Sequence, residues 1–278
     1  MALNHACVGV SNGPYTFEYD DRTVILYALG AGATEAEPRF VFEGDPDFGV
    51  VPSFAVVAAT RSLFDAVGLL DADLMRLLHG EQAIRWHRPI PTGGRLQTTW
   101  EVSNIYDKGK GALAIVTSRT SDEQGPLFDN VFSLFIRGEG GFGGDRGPEA
   151  ERHDPPADRG PDFRVAAPTA LTQALLYRLS GDRNPLHASP EFARMSGFDR
   201  PILHGLCTLG YATRALVNAG LGGDPARLKA LSARFAGVVF PGDEIITEGW
   251  SLPGGRWILR TTTGRGTPAI SNFSAESI

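Results

Sequence analysis

The sequence predicts an α+β fold built from two tandem copies of one unit, each a long helix packed against an antiparallel sheet. Three observations predict it. Residues 138–163, "GEGGFGGDRGPEAERHDPPADRGPDF", are rich in glycine, proline and charge and divide the chain as a linker. The same order of signals follows on each side of it. Equivalent positions also keep register: Tyr27 and Tyr177 lie 150 apart, while Pro52 and Pro201, Arg85 and Arg234, and Gly93 and Gly242 each lie 149 apart. So long a period is a duplicated domain and not a solenoid.

In the first unit, residues 1–137, "VILYALGAG" precedes the helix-like "PSFAVVAATRSLFDAV". That run opens on proline and spaces its apolar residues by three and four, which predicts one long helix. Four runs then alternate as strands do: "EQAIRWHRPI", "RLQTTWEVSNIY", "ALAIVTSRT" and "LFDNVFSLFIR". In the second unit, residues 164–278, "ALLYRLSGD" precedes "PILHGLCTLGYATRALVNA", whose Pro201 suits a helix start. "LSARFAGVVF", "EIITEGWSL", "RWILRTTT" and "PAISNFSAE" follow as strands.

Composition narrows the function. At 278 residues, 42% hydrophobic and 21% charged, the chain has the balance of a globular protein and can bury a large core. A net charge of -6 without a basic stripe argues against nucleic acid as a partner. Only Cys7 and Cys207 occur, outside any CxxC pair, so neither a disulfide framework nor a redox motif is expected. No run reaches the roughly 18 apolar residues of a spanning helix, the start lacks a signal-peptide pattern and "AESI" is no peroxisomal signal. The expectation is a cytoplasmic protein away from membranes.

Chemistry concentrates in "LYRLSGDRNPLHASPEF", which sets Asp182, Asn184 and His187 within six residues around Pro185. Gly181 allows an unusual backbone angle and Pro185 stops a helix, so these side chains project from a fixed loop. A carboxylate and an imidazole so placed can share one water, one removing its proton while the other positions it. Each residue alone also reads as a turn, a cap or a satisfied polar group; the cluster favours chemistry. Downstream, "DRPILHGLCTLGYATRAL" places Gly205 near a helix start, where backbone N–H groups lack intrahelical partners and can meet a carbonyl oxygen gaining charge. Gly205 equally suits close helix-to-sheet packing, and His204 a structural donor. A metal held by Asp182, His187 and His204 is disfavoured, because no HxxxH, HxH or cysteine ligand accompanies them.

The first unit lacks this cluster. Gly32 and Glu37 stand opposite Asp182 and His187, and Val56 opposite Gly205. Glu37 in "GATEAEP" is expected to be a solvated loop charge, which leaves one active site per chain.

"YRLSGDRNPLH", "PILHGL" and "RFAGVVFPGDEI" together resemble the hydratase 2 family, the R-specific 2-enoyl-CoA hydratases or MaoC-like dehydratases. "YALGAGA", "LLHGEQ" and "DKGKGA" extend the resemblance to its two-domain form. The resemblance implies a double hotdog fold and a hydro-lyase acting on acyl-CoA thioesters. It implies Asp182 and His187 as catalytic dyad, Asn184 as the residue that orients them and Gly205 as oxyanion donor. It further implies substrate contacts at His79, Gly80, Lys108 and Phe235. Read alone, Lys108 is a solvated turn lysine and Phe235 a core residue. The expected protein is a homodimer that uses no cofactor and no metal. Two readings compete with hydration: a non-catalytic acyl-CoA-binding module, against which the intact pair argues, and an acyl-CoA thioesterase on the same fold.

Overall fold

Alternating side chains put one face of each strand inward. Along Arg256–Thr263, Trp257, Leu259, Thr261 and Thr263 are buried and the residues between them are not. A computed structural model describes residues 3–149 and 151–278, and ten such strands in them form one sheet. They are β1 (Ser11–Tyr19), β2 (Leu77–Trp86), β3 (Gly94–Asp107), β4 (Gly111–Asp122), β5 (Gly125–Arg137), β6 (Phe163–Pro168), β7 (Leu228–Phe235), β8 (Glu244–Leu252), β9 (Arg256–Thr263) and β10 (Pro268–Ser277). Their order is β1-β3-β4-β5-β2-β7-β10-β9-β8-β6, with antiparallel pairs throughout. Read from either edge the order is the same, each strand of the second half taking the place of the one five numbers earlier. The halves meet where Glu81 to Arg85 of β2 pair with Arg234 to Ala230 of β7.

Two edge strands, β1 and β6, lie outside the runs that the sequence marks as strands. In β1 the Asn-Gly-Pro stretch breaks the period, and its pairing with β3 shifts register between Asn12 and Tyr15. β6 has only six residues and begins at Phe163, the last residue of the glycine- and proline-rich stretch. Before it, the described part of that stretch from residue 139 onward contains neither helix nor strand, yet it is pinned to the sheets. Gly141 and Gly143 donate their N–H groups to the Asp107 carboxylate, and His153 N–H donates to Asn272 Oδ1. The N–H groups of Gly141, Gly109 and Gly143 hold the Asp107 carboxyl below the usual carboxylate range.

Among the described residues seven α-helices accompany the sheet: α1 (Asp21–Gly30), α2 (Pro38–Val41), α3 (Ala55–Ala58), α4 (Thr60–Leu70), α5 (Gln173–Tyr177), α6 (Pro190–Met195) and α7 (Gly205–Ala215). The single long helix expected in the first half is broken. Pro52–Ala58 and Thr60–Leu70 meet at 50°. Thr60 Oγ1 donates to the Val56 carbonyl four residues back, 3.1 Å away, a contact that bends helices. In the second half α7 runs unbroken and passes into a wider turn over Leu216–Gly220. It begins four residues after Pro201, because Leu203 N–H is engaged by the Val239 carbonyl at 2.8 Å and keeps that stretch extended.

The larger core lies between the halves. The Tyr27 and Tyr177 rings, at equivalent positions, sit 5.9 Å apart, and the Gln173 amide donates to the Leu29 and Gly30 carbonyls at the end of α1. A smaller core seats α4 on β3, β4 and β5 around Trp100, Val116 and Phe132. Cys7 and Cys207 are free and buried. Among the described residues, no single helix is long and apolar enough to cross a membrane.

Candidate active site

The loop between α5 and α6 takes its shape from short-range bonds. Gly181 turns at φ +130°, and a side chain there would press on Thr60 of α4. The Asn184 amide oxygen accepts from Leu186 N–H at 3.0 Å and caps the turn Pro185–His187. Its own N–H donates to the Asp182 carboxylate at 3.1 Å. Asn184 thereby ties the acid to the turn that carries the imidazole.

His187 is buried, with Nδ1 2.9 Å from the Ile202 carbonyl. A carbonyl only accepts, so Nδ1 carries the hydrogen and Nε2 is left as the basic lone pair. Burial holds the ring below the ordinary histidine value. The nearby Arg178 acts in the same direction, and the Ile202 carbonyl and the Asp182 charge oppose it. One carboxylate oxygen of Asp182 and one nitrogen each of His187 and His204 lie within 4.8 Å of one another, a spacing one water can bridge. The two imidazoles are stacked, 3.6 Å between centroids and 26° between planes. Parallel rings would leave a shared metal ion outside both ring planes, so the trio is poorly shaped as a metal centre.

Gly205 is the first residue of α7 and is exposed, so its N–H faces out of the helix start without an intrahelical acceptor. The Phe235 ring at the end of β7 covers it closely; a Cβ on Gly205 would come within 3.0 Å of that ring. His79 meets Phe235 edge to face, with 5.1 Å between the ring centroids. Its Nε2 lies 3.1 Å from the Glu81 carbonyl, and burial lowers its pKa to about 4, so the ring is neutral. Gly80 sits at a register shift of β2 between His79 and Glu81.

The residues singled out in the sequence thus fall into two neighbouring groups, Asp182–Asn184–His187 and Gly205–Phe235–His79–Gly80. Lys108 stands apart, in the turn after β3, where its ammonium donates to the Arg146 carbonyl of the joining segment and is not merely solvated. With Arg146, Arg152 and Arg234 it lines a cleft of about 920 Å³.

The equivalent place in the first half is filled differently. Glu37 is no solvated loop charge: its side chain is 12% exposed and forms an ion pair with Arg214 of α7, Arg214 Nε lying 3.1 Å from Oε1. The loop composition gave no sign of this, because the partner is 177 residues away. Gly32, at φ +81°, lies directly under the Tyr211 ring, and Val56 is buried in α3.

Residues 17–138 match the family described as MFE-2 hydratase 2 N-terminal domain, and residues 153–266 match the MaoC like domain. The chain is 43% identical over 269 residues to a 3-hydroxyacyl-thioester dehydratase Y of Mycobacterium tuberculosis, covering 94% of this chain and 92% of that one. It is 40% identical over 259 residues to a probable enoyl-CoA hydratase 2 of Dictyostelium discoideum, covering 91% and 88%. Among solved structures, a MaoC-like dehydratase from Phytophthora capsici superimposes with a TM-score of 0.91 at 33% identity, over 99% of this chain and 98% of that one. A Mycobacterium tuberculosis protein described as having a double hotdog fold shares the fold at a TM-score of 0.59 and 15% identity, over 98% and 96% of the two chains.

Proposed function

The chain belongs to the MaoC-like enoyl-CoA hydratase 2 family, and from that premise we propose that its second half adds water reversibly to trans-2-enoyl-CoA to give (3R)-3-hydroxyacyl-CoA. It is a hydro-lyase of the enoyl-CoA hydratase 2 type. The observation that carries the mechanism is the spacing of an Asp182 carboxylate oxygen and a His187 ring nitrogen within 4.8 Å, which one water can bridge, on a loop that His204 ties to the start of α7.

In this reading the thioester carbonyl rests on the Gly205 N–H, and C3 faces a water held between Asp182 and His187. The water oxygen bonds to C3 as one of its protons passes to His187 Nε2, which burial keeps unprotonated and ready to accept. The C2–C3 π electrons move toward the carbonyl and give an enolate oxygen. The Gly205 N–H and the helix dipole stabilise that charge as it forms, without reorganisation. His187 then returns its proton to C2, the carbonyl reforms, and one water has been added. Asp182 accepts the second O–H of the water and offsets the transient imidazolium charge. The reverse sequence is dehydration.

The remaining residues serve the thioester arm. Phe235 and His79 present apolar ring surface beside Gly205. The mixed-charge cleft, where Lys108, Arg146, Arg152 and Arg234 stand among Glu149, Glu151 and Asp154, offers cations to the phosphates of the CoA nucleotide. The decisive assay follows loss of the enoyl-thioester absorbance of crotonyl-CoA, with chiral analysis of the product and titration of free thiol. The expected result is (3R)-3-hydroxybutyryl-CoA without thiol release. An S product would overturn the stereochemical assignment, and thiol release would turn the reading toward a thioesterase.

A further inference from the structure

We propose that His204 is a positioning residue of this site: as a neutral Nε2–H imidazole it clamps the loop that carries Asp182, while its ring backs the ring of His187. The proposal rests on the hydratase reading above.

His204 lies where three parts of the site meet. It is the N-cap residue of α7, immediately before Gly205. An N-cap side chain ordinarily bonds the first amides of its own helix. The His204 side chain makes no such bond and turns away from α7. Its Nε2 lies 3.2 Å from the carbonyl of Asp182, 22 residues earlier in the chain. That carbonyl can only accept, so Nε2 carries the hydrogen and Nδ1 of the neutral ring is a bare acceptor. Nδ1 is buried and has no hydrogen-bond partner among the described residues. A phenylalanine would fill the same space without stranding a buried polar atom, so packing alone does not account for an imidazole here. The bond to Asp182 does.

The ring has a second contact. Its face is stacked on His187 at 3.6 Å, and the Tyr177 ring packs against it at a tilt of 50° with its centroid 4.9 Å away. The titratable and charged groups around it are His187 and Asp182 from the loop, and Tyr177 and Arg178 from the end of α5 and the turn after it. Burial first, then His187 and Arg178, disfavours a charge on His204, and only the Asp182 carbonyl favours one. A neutral ring therefore shields one face of His187 from water and helps keep the base unprotonated.

Two substitutions separate the roles. His204→Phe keeps a stacked ring and removes the donor; His204→Gln keeps a donor and removes the ring. For His204→Phe the expected result is a fall in kcat on the order of 10-fold or more, with KM for crotonyl-CoA within about 3-fold and the acid limb of the pH profile unmoved. For His204→Gln, kcat is expected to stay nearer the wild-type value. Its acid limb should move up toward the ordinary histidine value near 6.5, because water at the exposed face of His187 favours its charged form. Should either variant fold poorly, 15N-histidine spectra of the wild-type chain give the same answer without turnover: His204 should stay neutral and Nε2-protonated as the pH falls through the ordinary histidine value near 6.5. A wild-type kcat in His204→Phe, equal losses in both variants with an unmoved limb, or a His204 that charges near pH 6.5 would each overturn the proposal. Absence of hydration by the wild type would instead remove the reading on which it rests.

Discussion

Two equivalent loops, one in each half, lie ahead of the central helices and do different work. In the second half the loop brings a carboxylate oxygen of Asp182 and a ring nitrogen of His187 within 4.8 Å of one another, a spacing one water can bridge. In the first half the same place holds Gly32 and Glu37, and both are committed to the other half: Gly32 lies under Tyr211 of α7, and Glu37 binds Arg214 and Asn218. The residue proposed as oxyanion donor is Gly205, exposed at the start of α7, and its counterpart in the first half is a buried Val56. Duplication supplied two loops of like placement. One sets a half-buried carboxylate beside a buried imidazole, and the other ties its residues to α7 as a joint. The joint also explains why aspartate cannot simply be placed at Gly32, since a side chain there would enter the Tyr211 ring at a backbone angle that favours glycine.

The largest effect should come from parting the halves. Residues 160–278 expressed alone lose the β2–β7 pairing and the partners of Tyr177, Gln173 and Arg214. They should aggregate or lack activity; a soluble, fully active fragment would show that the joint is dispensable. Next comes Gly205→Val, which gives the second half the residue of the first. The new side chain would meet the Phe235 ring and crowd the N–H. kcat should fall by roughly 10²-fold, the scale of a lost oxyanion donor, while melting temperature changes little. Wild-type turnover in this variant would move the donor elsewhere. Smaller in turnover but large in stability is Glu37→Gln, which leaves Arg214 buried without its counter-charge. Unfolding should become easier by roughly 3 kcal/mol in a denaturant titration. Turnover of the protein that remains folded should stay near wild type, and a collapse of kcat at unchanged stability would make Glu37 a participant in the chemistry.

Local pattern made the second-half strands legible: β8 and β9 span the same residues that alternation marks in the sequence. It failed where local pattern and tertiary choice diverge. Gly13 and Pro14 hide β1, and apolar spacing runs through Ala59 as if the helix continued, although the Thr60 hydroxyl bends it. In the site, acid, amide and imidazole could be singled out because they crowd one loop, and Gly205 because a helix begins there. Glu37 could not be read correctly, since its polar neighbours suggest solvent and its cation comes from α7. His204 could be read as a structural donor, but not its acceptor, a backbone carbonyl 22 residues earlier with no signature in residue type.

The claim that chemistry resides in one loop and cohesion in the other is tested most directly by comparing hydration of crotonyl-CoA by His187→Ala and Glu37→Gln, each held under conditions where circular dichroism shows it folded. The expected result is a loss on the order of 10²-fold or more for His187→Ala, as for any positioned base, and near wild-type turnover for Glu37→Gln. Near wild-type turnover in folded His187→Ala would contradict it.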